Sequence, residues 1–143
     1  MGTIIDRRAF RQSMRTVSQA LFVLSDDRLL PADASKINLG LSLSEALMEQ
    51  KNVEAQPLLA VILSALIPGD SKDVVLERID ILFDPRWELD VIRLLLSVGR
   101  NHRLYILWPG QINGNILQYA QPETDDYAIY DIGNYVDTYI VKK

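Results

Sequence analysis

The chain has 143 residues, of which 48% are hydrophobic and 24% charged, so it fits one domain and is not a disordered or low-complexity chain. It contains no cysteine, and this absence excludes disulfides, thiolate metal sites and cysteine nucleophiles. It contains one histidine, His102. The net charge of −4 argues against nucleic-acid binding by the whole surface. Because no apolar run approaches the roughly 20 residues of a bilayer span, and the N-terminus is charged, we expect a cytoplasmic, bacterial-type protein.

The N-terminal segment predicts an amphipathic helix over residues 5–19. Arg7, Arg11 and Arg15 recur every four residues, so on a helix they form one stripe. Residues 1–15 carry a charge of +3, which leaves −7 for the rest of the chain. The stripe could bind phosphates, including those of DNA, or an acidic partner. A solvated helix face is the plainer interpretation.

The next segments predict an α/β unit. A continuous apolar run over 21–24 is typical of a buried strand, and 25–35 is polar and predicts a loop. Three further elements are predicted before residue 70: a strand over 36–40, a helix from Ser42 or Ser44 to Met48, and a buried helix over 58–66 after Pro57.

The second half predicts alternating strands and helices. The predicted strands are a central strand over 73–77 and two more over 103–108 and 135–141, with a hairpin at Asn113-Gly114. A helix is predicted from Arg86 or Trp87 to Val98. We expect Asp84-Pro85 to cap its start and Gly99 to end it in the left-handed conformation. The sequence therefore predicts one α/β domain over 1–143, an N-terminal helix followed by a core over 20–141. We expect three layers and a mostly parallel sheet of about five strands, with a C-terminal β-hairpin.

One predicted strand has the form of a Walker B strand, since the apolar residues 74–76 are followed by Glu77. A carboxylate in that place holds a magnesium-bound water beside a nucleotide. Many buried strands end in an acidic residue merely because they meet solvent there, which is the commoner explanation. The matching phosphate loop is missing, because residues 25–36 contain two consecutive aspartates and no glycine.

Other polar groups give no complete catalytic constellation. Glu77, Asp80 and Asp84 could gather a cation, but neighbouring arginines are close enough in sequence to pair with them instead. Arg100 stands where NTPases often carry a sensing residue, and its plainer role is to pair with Glu77 or Asp80. We predict no catalytic residues, no metal and no cofactor. Glu77, Asp80 and Arg100 are the candidates for a degenerate nucleotide site.

The C-terminal region is acidic and rich in tyrosine, with no Lys or Arg between positions 104 and 141. Tyr127, Tyr130 and Tyr135 lie among carboxylates there. Tyrosine adds contact area at low entropic cost, so these residues are candidates for binding a partner protein. The alternative, given equal weight, is that they close the core.

Several segments, taken in order and spacing, resemble one known family. They are Ile79-Asp80-Ile81-Leu82-Phe83-Asp84-Pro85, Gly99-Arg100-Asn101-His102-Arg103, Trp108-Pro109-Gly110 and Tyr119-Ala120-Gln121-Pro122, with Ile37-Asn38-Leu39 and Leu43-Ser44-Glu45-Ala46-Leu47 in the first half. They resemble the BrxF-like P-loop proteins of type 3 BREX phage-defence systems, over roughly residues 20–141. The resemblance implies a P-loop NTPase-like core in a multi-protein system that restricts phage DNA.

The chain departs from that family in the parts that bind nucleotide. The family's Walker A loop and the helix it opens are missing, and Glu77 replaces the expected aspartate. We therefore expect a non-catalytic, pseudo-NTPase-like adaptor subunit of a BREX-like DNA-defence complex, with other proteins of that complex as partners and no membrane. The alternative is a weak nucleotide- or DNA-binding regulatory protein of the same kind of system, with the arginine stripe on phosphates.

Overall fold

The computed structural model describes residues 2–32, 34–39, 72–83 and 90–142. These residues form nine β-strands and two α-helices, together with 3₁₀ helices over 27–29, 79–83 and 132–134. In chain order the strands and α-helices are β1 (Thr3–Ile5), α1 (Arg7–Thr16), β2 (Ala20–Leu24), β3 (Ser35–Asn38), β4 (Asp73–Glu77), α2 (Val91–Val98), β5 (Arg103–Leu107), β6 (Gln111–Asn113), β7 (Ile116–Tyr119), β8 (Ala128–Asp131) and β9 (Thr138–Val141).

Six strands form a sheet of order β1-β9-β2-β5-β4-β3, and every pairing in it is parallel. After β2 the chain forms β3 at the far edge and returns through β4 to β5. It then crosses to the other side of β2 to form β9. The prediction of a mostly parallel α/β sheet is confirmed, and the strand count is six because residues 3–5 add an edge strand.

The two helices pack on opposite faces of this sheet, which gives three layers. Leu21 and Val23 belong to the core cluster that contains α2, whereas Phe22 and Leu24 pack with Phe10 of α1. Successive side chains of a strand point to opposite faces. Since both faces of β2 are covered, all five of its residues are buried, which explains the continuous apolar run in the sequence.

Helix α1 begins two residues later than the sequence predicts. Asp6 is its N-cap, and the carboxylate accepts a hydrogen bond from the backbone N–H of Ala9 at 2.8 Å. Ile5 instead lies in β1, level with Val141 of β9. The β-branched residues 3–5 favour a strand, so the apolar side chain that we assigned to the helix belongs to the sheet.

Helix α2 also begins later than predicted. Its N-cap is Asp90, which accepts a hydrogen bond from the backbone N–H of Arg93 at 3.1 Å, and residues 84–89 lie outside the described residues. Gly99 ends the helix at a φ of −90°, so the predicted left-handed conformation is wrong. A Cβ there would overlap the buried side chain of Leu104, so a larger residue would require that side chain to move.

The small second sheet is antiparallel, with the order β6-β7-β8. The predicted hairpin is present, but its two-residue loop is Gly114-Asn115, one residue later than predicted, because Gly114 adopts a φ of +60° that suits the first turn position. β8 was not predicted. The last predicted strand begins at Thr138 rather than Tyr135.

Three predicted strands of the large sheet are confirmed as β2, β4 and β5, and the strand predicted over 36–40 is found as β3. The helices predicted over 42–48 and 58–66 lie outside the described residues. Among the described residues, no helix has both the length and the apolar character needed to cross a bilayer.

Candidate functional site

The carboxyl ends of the parallel strands form the candidate site. In open α/β sheets, ligands bind in the crevice at this edge, where the direction of the crossovers reverses. Here the reversal occurs at β2, since β3 and β9 form on opposite sides of it. The segments that follow β2, β4 and β5 therefore meet at one edge of the sheet.

A cavity of about 490 Å³ opens between these segments, within the size range of small-molecule pockets. Its lining is mostly apolar and aromatic, with three charged residues. The apolar and aromatic residues are Leu30, Val75, Leu76, Ile79, Leu107, Trp108, Pro109 and Tyr119, and the charged ones are Glu77, Arg78 and Asp80.

The three charged residues of the cavity differ in their partners. The Arg78 guanidinium donates from Nε and Nη2 to the two carboxylate oxygens of Asp80, at 3.2 and 3.3 Å. This pairing is the plainer alternative that the sequence offered. Glu77 is exposed and forms no ion pair with the described residues.

One wall of the cavity is formed by Trp108 and Tyr119, which pack against the buried ring of Phe83. Phe83 lies parallel to Tyr119, with 4.0 Å between ring centroids, and meets the edge of Trp108 at 5.5 Å. The indole N–H of Trp108 donates to the carbonyl of Gln118 at 2.9 Å. Burial, with the nearby carboxylates of Asp126 and Asp80, raises the pKa of Tyr119. This wall is fixed in place and uncharged at neutral pH.

The loop after β2 holds a carboxylate against a backbone N–H at the carboxyl edge of the sheet. The carboxylate of Asp26 accepts a hydrogen bond from the backbone N–H of Arg28 at 2.9 Å. It also forms an ion pair with the Arg28 guanidinium, whose Nη2 lies 2.6 Å away. The Asp26 side chain is only 10% exposed. Backbone N–H groups after the first strand of such a sheet are the groups that cradle phosphate. Here one of them is occupied by the chain's own anion.

Arg100 lies at the other end of the sheet from the other two candidate nucleotide-site residues. Arg100 lies three residues before the start of β5, whereas Glu77 is the last residue of β4. The two strands are parallel, and Asp73 at the start of β4 is level with Arg103 at the start of β5. About four residues of strand, or roughly 13 Å, separate the two edges. The structure thus brings Glu77 and Asp80 together, but not Arg100. The predicted pairing of Arg100 with them is wrong for the same reason.

Two of the three candidate tyrosines are buried. The Tyr130 hydroxyl accepts a hydrogen bond from the backbone N–H of Val91, and the Tyr135 hydroxyl donates to Asp90 at 2.9 Å. Both therefore close the core around the start of α2, which does not fit a role in contacting a partner. Tyr127 is exposed, as the partner hypothesis requires.

The arginines of α1 are on the surface. Arg7, Arg8, Arg11 and Arg15 are all exposed, and none forms an ion pair with the described residues. The structure therefore brings the three predicted arginines to one surface and adds a fourth.

A partly buried polar cluster at the amino edge of the sheet is not predicted by the sequence. Asp73 at the start of β4 accepts bonds from Arg103 Nε and Nη2, at 2.6 and 2.9 Å, and from the Tyr105 hydroxyl at 2.6 Å. Arg103 also donates to the carbonyl of Val17 at 2.9 Å. Burial raises the pKa of Asp73, but these hydrogen bonds outweigh it and hold the pKa below its ordinary value. The cluster joins β4 and β5 to the end of α1.

Within the described part of the chain, no three His, Cys, Asp or Glu residues are placed to hold a metal ion, and Asp84 of the predicted group lies outside that part. Comparison with protein families, curated proteins and solved structures finds no match for this chain.

Proposed function

We propose that this chain is a non-catalytic subunit with a P-loop NTPase-like core, which binds a protein partner in a bacterial complex that acts against phage DNA. The observation that carries the proposal is the carboxylate of Asp26 on the backbone N–H of Arg28, at the carboxyl end of β2. The parallel sheet and the crevice at β2 support a nucleotide-binding ancestry. The resemblance described above supports the setting in phage defence.

Asp26 works against ATP binding in two ways. A phosphate at this turn would have to displace a nearly buried carboxylate from its hydrogen bonds, and a buried acceptor that loses its partners costs about 1–3 kcal/mol. The phosphate would also meet like charge, because ATP carries several negative charges and Asp26 is ionised in its pair with Arg28. A core that keeps the sheet and fills its own anion position is better suited to binding a partner.

The surface for a partner protein is best supported on the C-terminal region. Ile129 and Val136 are 54% and 64% exposed, and Tyr127 is exposed near them in sequence. β8, which carries Ile129, is an edge strand of the small sheet and can accept an added strand. Exposed carboxylates at Glu123 and Asp125 favour a partner segment that is basic as well as apolar.

The nucleotide part of the proposal is tested by thermal unfolding with ATP and Mg²⁺. A ligand that binds only the folded state must raise Tm by mass action, so we expect Tm at about 5 mM ATP to stay within about 1 °C of its value in sodium chloride of equal ionic strength. A saturable rise of several degrees, abolished by Glu77→Ala, would overturn the proposal.

The partner part is tested by affinity purification from the native host with a variant of the C-terminal surface. We expect at least one protein to be recovered with the wild type and lost with Ile129→Lys/Val136→Lys. A control, Ser18→Lys/Ser97→Lys, adds the same charge at exposed positions elsewhere and should retain that protein. If every recovered protein is retained by both variants, this surface is not the docking site.

A further inference from the structure

We propose that the arginine surface of α1, formed by Arg7, Arg8, Arg11 and Arg15, binds the phosphate backbone of nucleic acid without reading its sequence. At 100° per residue these four residues fall within a sector of about 100° around the helix, and Arg7 and Arg15 are about 12 Å apart along its axis. A nucleic-acid strand carries one phosphate per roughly 3.4 Å of axis, so several phosphates lie within reach of this surface.

The charge of this surface is not neutralised within the described chain. Elsewhere, Arg28, Arg78, Arg93 and Arg103 each pair with an aspartate. The acidic residue beside the arginine surface, Asp6, uses its carboxylate to cap α1. The surface therefore attracts polyanions locally, although the whole chain is negative.

The side chains around these arginines favour nucleic acid over an acidic protein. A groove of about 600 Å³ along α1 is lined by the aliphatic stems and polar ends of the four arginines, Gln12 and Thr16. Protein interfaces rely on apolar or aromatic anchors at their centre, whereas interfaces with nucleic acid are polar and positive. The large exposed apolar side chains of the described residues, Leu107, Tyr127, Ile129 and Val136, all lie outside α1.

α1 is held flat against the sheet, which determines how it can meet a nucleic acid. Phe10 is buried, with its ring 5.1 Å from Phe22 and 6.0 Å from Tyr105 in edge-to-face contacts. Helices that read bases enter the major groove, where their side chains reach the base edges. A helix packed along a sheet exposes only the side that faces away from the sheet. We therefore expect its arginines to contact phosphates and to show no preference for base sequence.

The test is fluorescence anisotropy with a labelled 20-base-pair duplex of random sequence, titrated with the full chain between 50 and 200 mM salt. With four phosphate contacts the slope of log K against log salt should be about −3.6, because each contact contributes roughly −0.9. The variant Arg7→Gln/Arg11→Gln/Arg15→Gln should reduce the slope to about −0.9 and weaken binding at least tenfold at 50 mM salt.

The control variant removes the same three charges elsewhere, as Lys36→Gln/Lys72→Gln/Arg100→Gln, all at exposed positions. It should keep the slope of the wild type. Circular dichroism checks that each variant is folded. If the triple variant unfolds, the single variant Arg11→Gln replaces it, and the slope of log K against log salt should then change by about 0.9. Three results would each overturn the proposal. They are an equal loss of affinity in the test and control variants, no binding of the duplex at 50 mM salt, and equal competition for the protein by a glutamate-rich peptide of matched charge.

Discussion

The two edges of the parallel sheet differ in how their charged side chains are paired. At the amino edge, Asp73, Arg103 and Tyr105 satisfy one another and fasten two strands to α1. At the carboxyl edge, Glu77 lies beside a cavity and forms no ion pair with the part of the chain that the structure describes. The polar groups at the first edge therefore serve stability, whereas Glu77 at the second edge is available to a ligand or partner. Three predictions test this division.

The largest expected effect is at the amino edge. Asp73→Ala removes the acceptor of three hydrogen bonds and leaves Arg103, only 17% exposed, without its counter-ion, so we expect a loss of about 2–3 kcal/mol of unfolding free energy. Urea unfolding measures it. Glu77→Ala at the carboxyl edge is the matched control and should change stability by less than about 0.5 kcal/mol. Equal effects at both edges would remove the distinction between them.

A smaller effect is expected for Asp26→Ala, since that residue lies at the carboxyl edge but is bonded like those of the amino edge. Loss of its bonds to Arg28 should lower the unfolding free energy by about 1 kcal/mol. Asp26→Asn, which keeps one oxygen as acceptor, should lose less. If Asp26→Ala were as stable as the wild type, the carboxylate would not hold the loop and would be free for another role.

The smallest expected effect is the pH dependence that comes from Asp73. Its pKa is lower in the folded state than the ordinary value of 3.8, so the unfolded state binds more protons between the two values. This contribution to stability is complete above about pH 4 and is lost as pH falls through the folded pKa. Because the side chain is 34% exposed, screening by solvent keeps the effect small. Urea midpoints from pH 6 to pH 2 should fall less steeply for Asp73→Asn than for the wild type.

The strands of the large sheet were predictable because their signal is local. β2, β4 and β5 are buried on both faces, and such strands read as short apolar runs between polar residues. β1 has only three residues, too few for a periodic pattern, and a single residue, Asp6, separates it from α1. β8 depends on pairing with β7, which the segment itself does not encode.

The candidate site was predictable only where its residues are close in sequence. Glu77 and Asp80 meet at one edge because they follow the same strand. Arg100 was misplaced because the end of the sheet on which a residue lies depends on the direction of each strand. The contact of Asp73 with Arg103 needs the register of two strands joined by a helix, and the burial of Tyr130 and Tyr135 needs the small sheet to close over α2.

The position of β9 between β1 and β2 has a consequence for the order of folding. Among the described strands, β1 pairs only with β9, which lies more than 130 residues later in the chain. During synthesis, β1 must therefore wait until residues 138–141 have been made before it can pair with β9. Pairs so distant in sequence have the largest loop-closure cost, so β1 is expected to dock last and to fray first. The helix that follows it is fixed earlier, through Phe10, by strands that do not depend on β1.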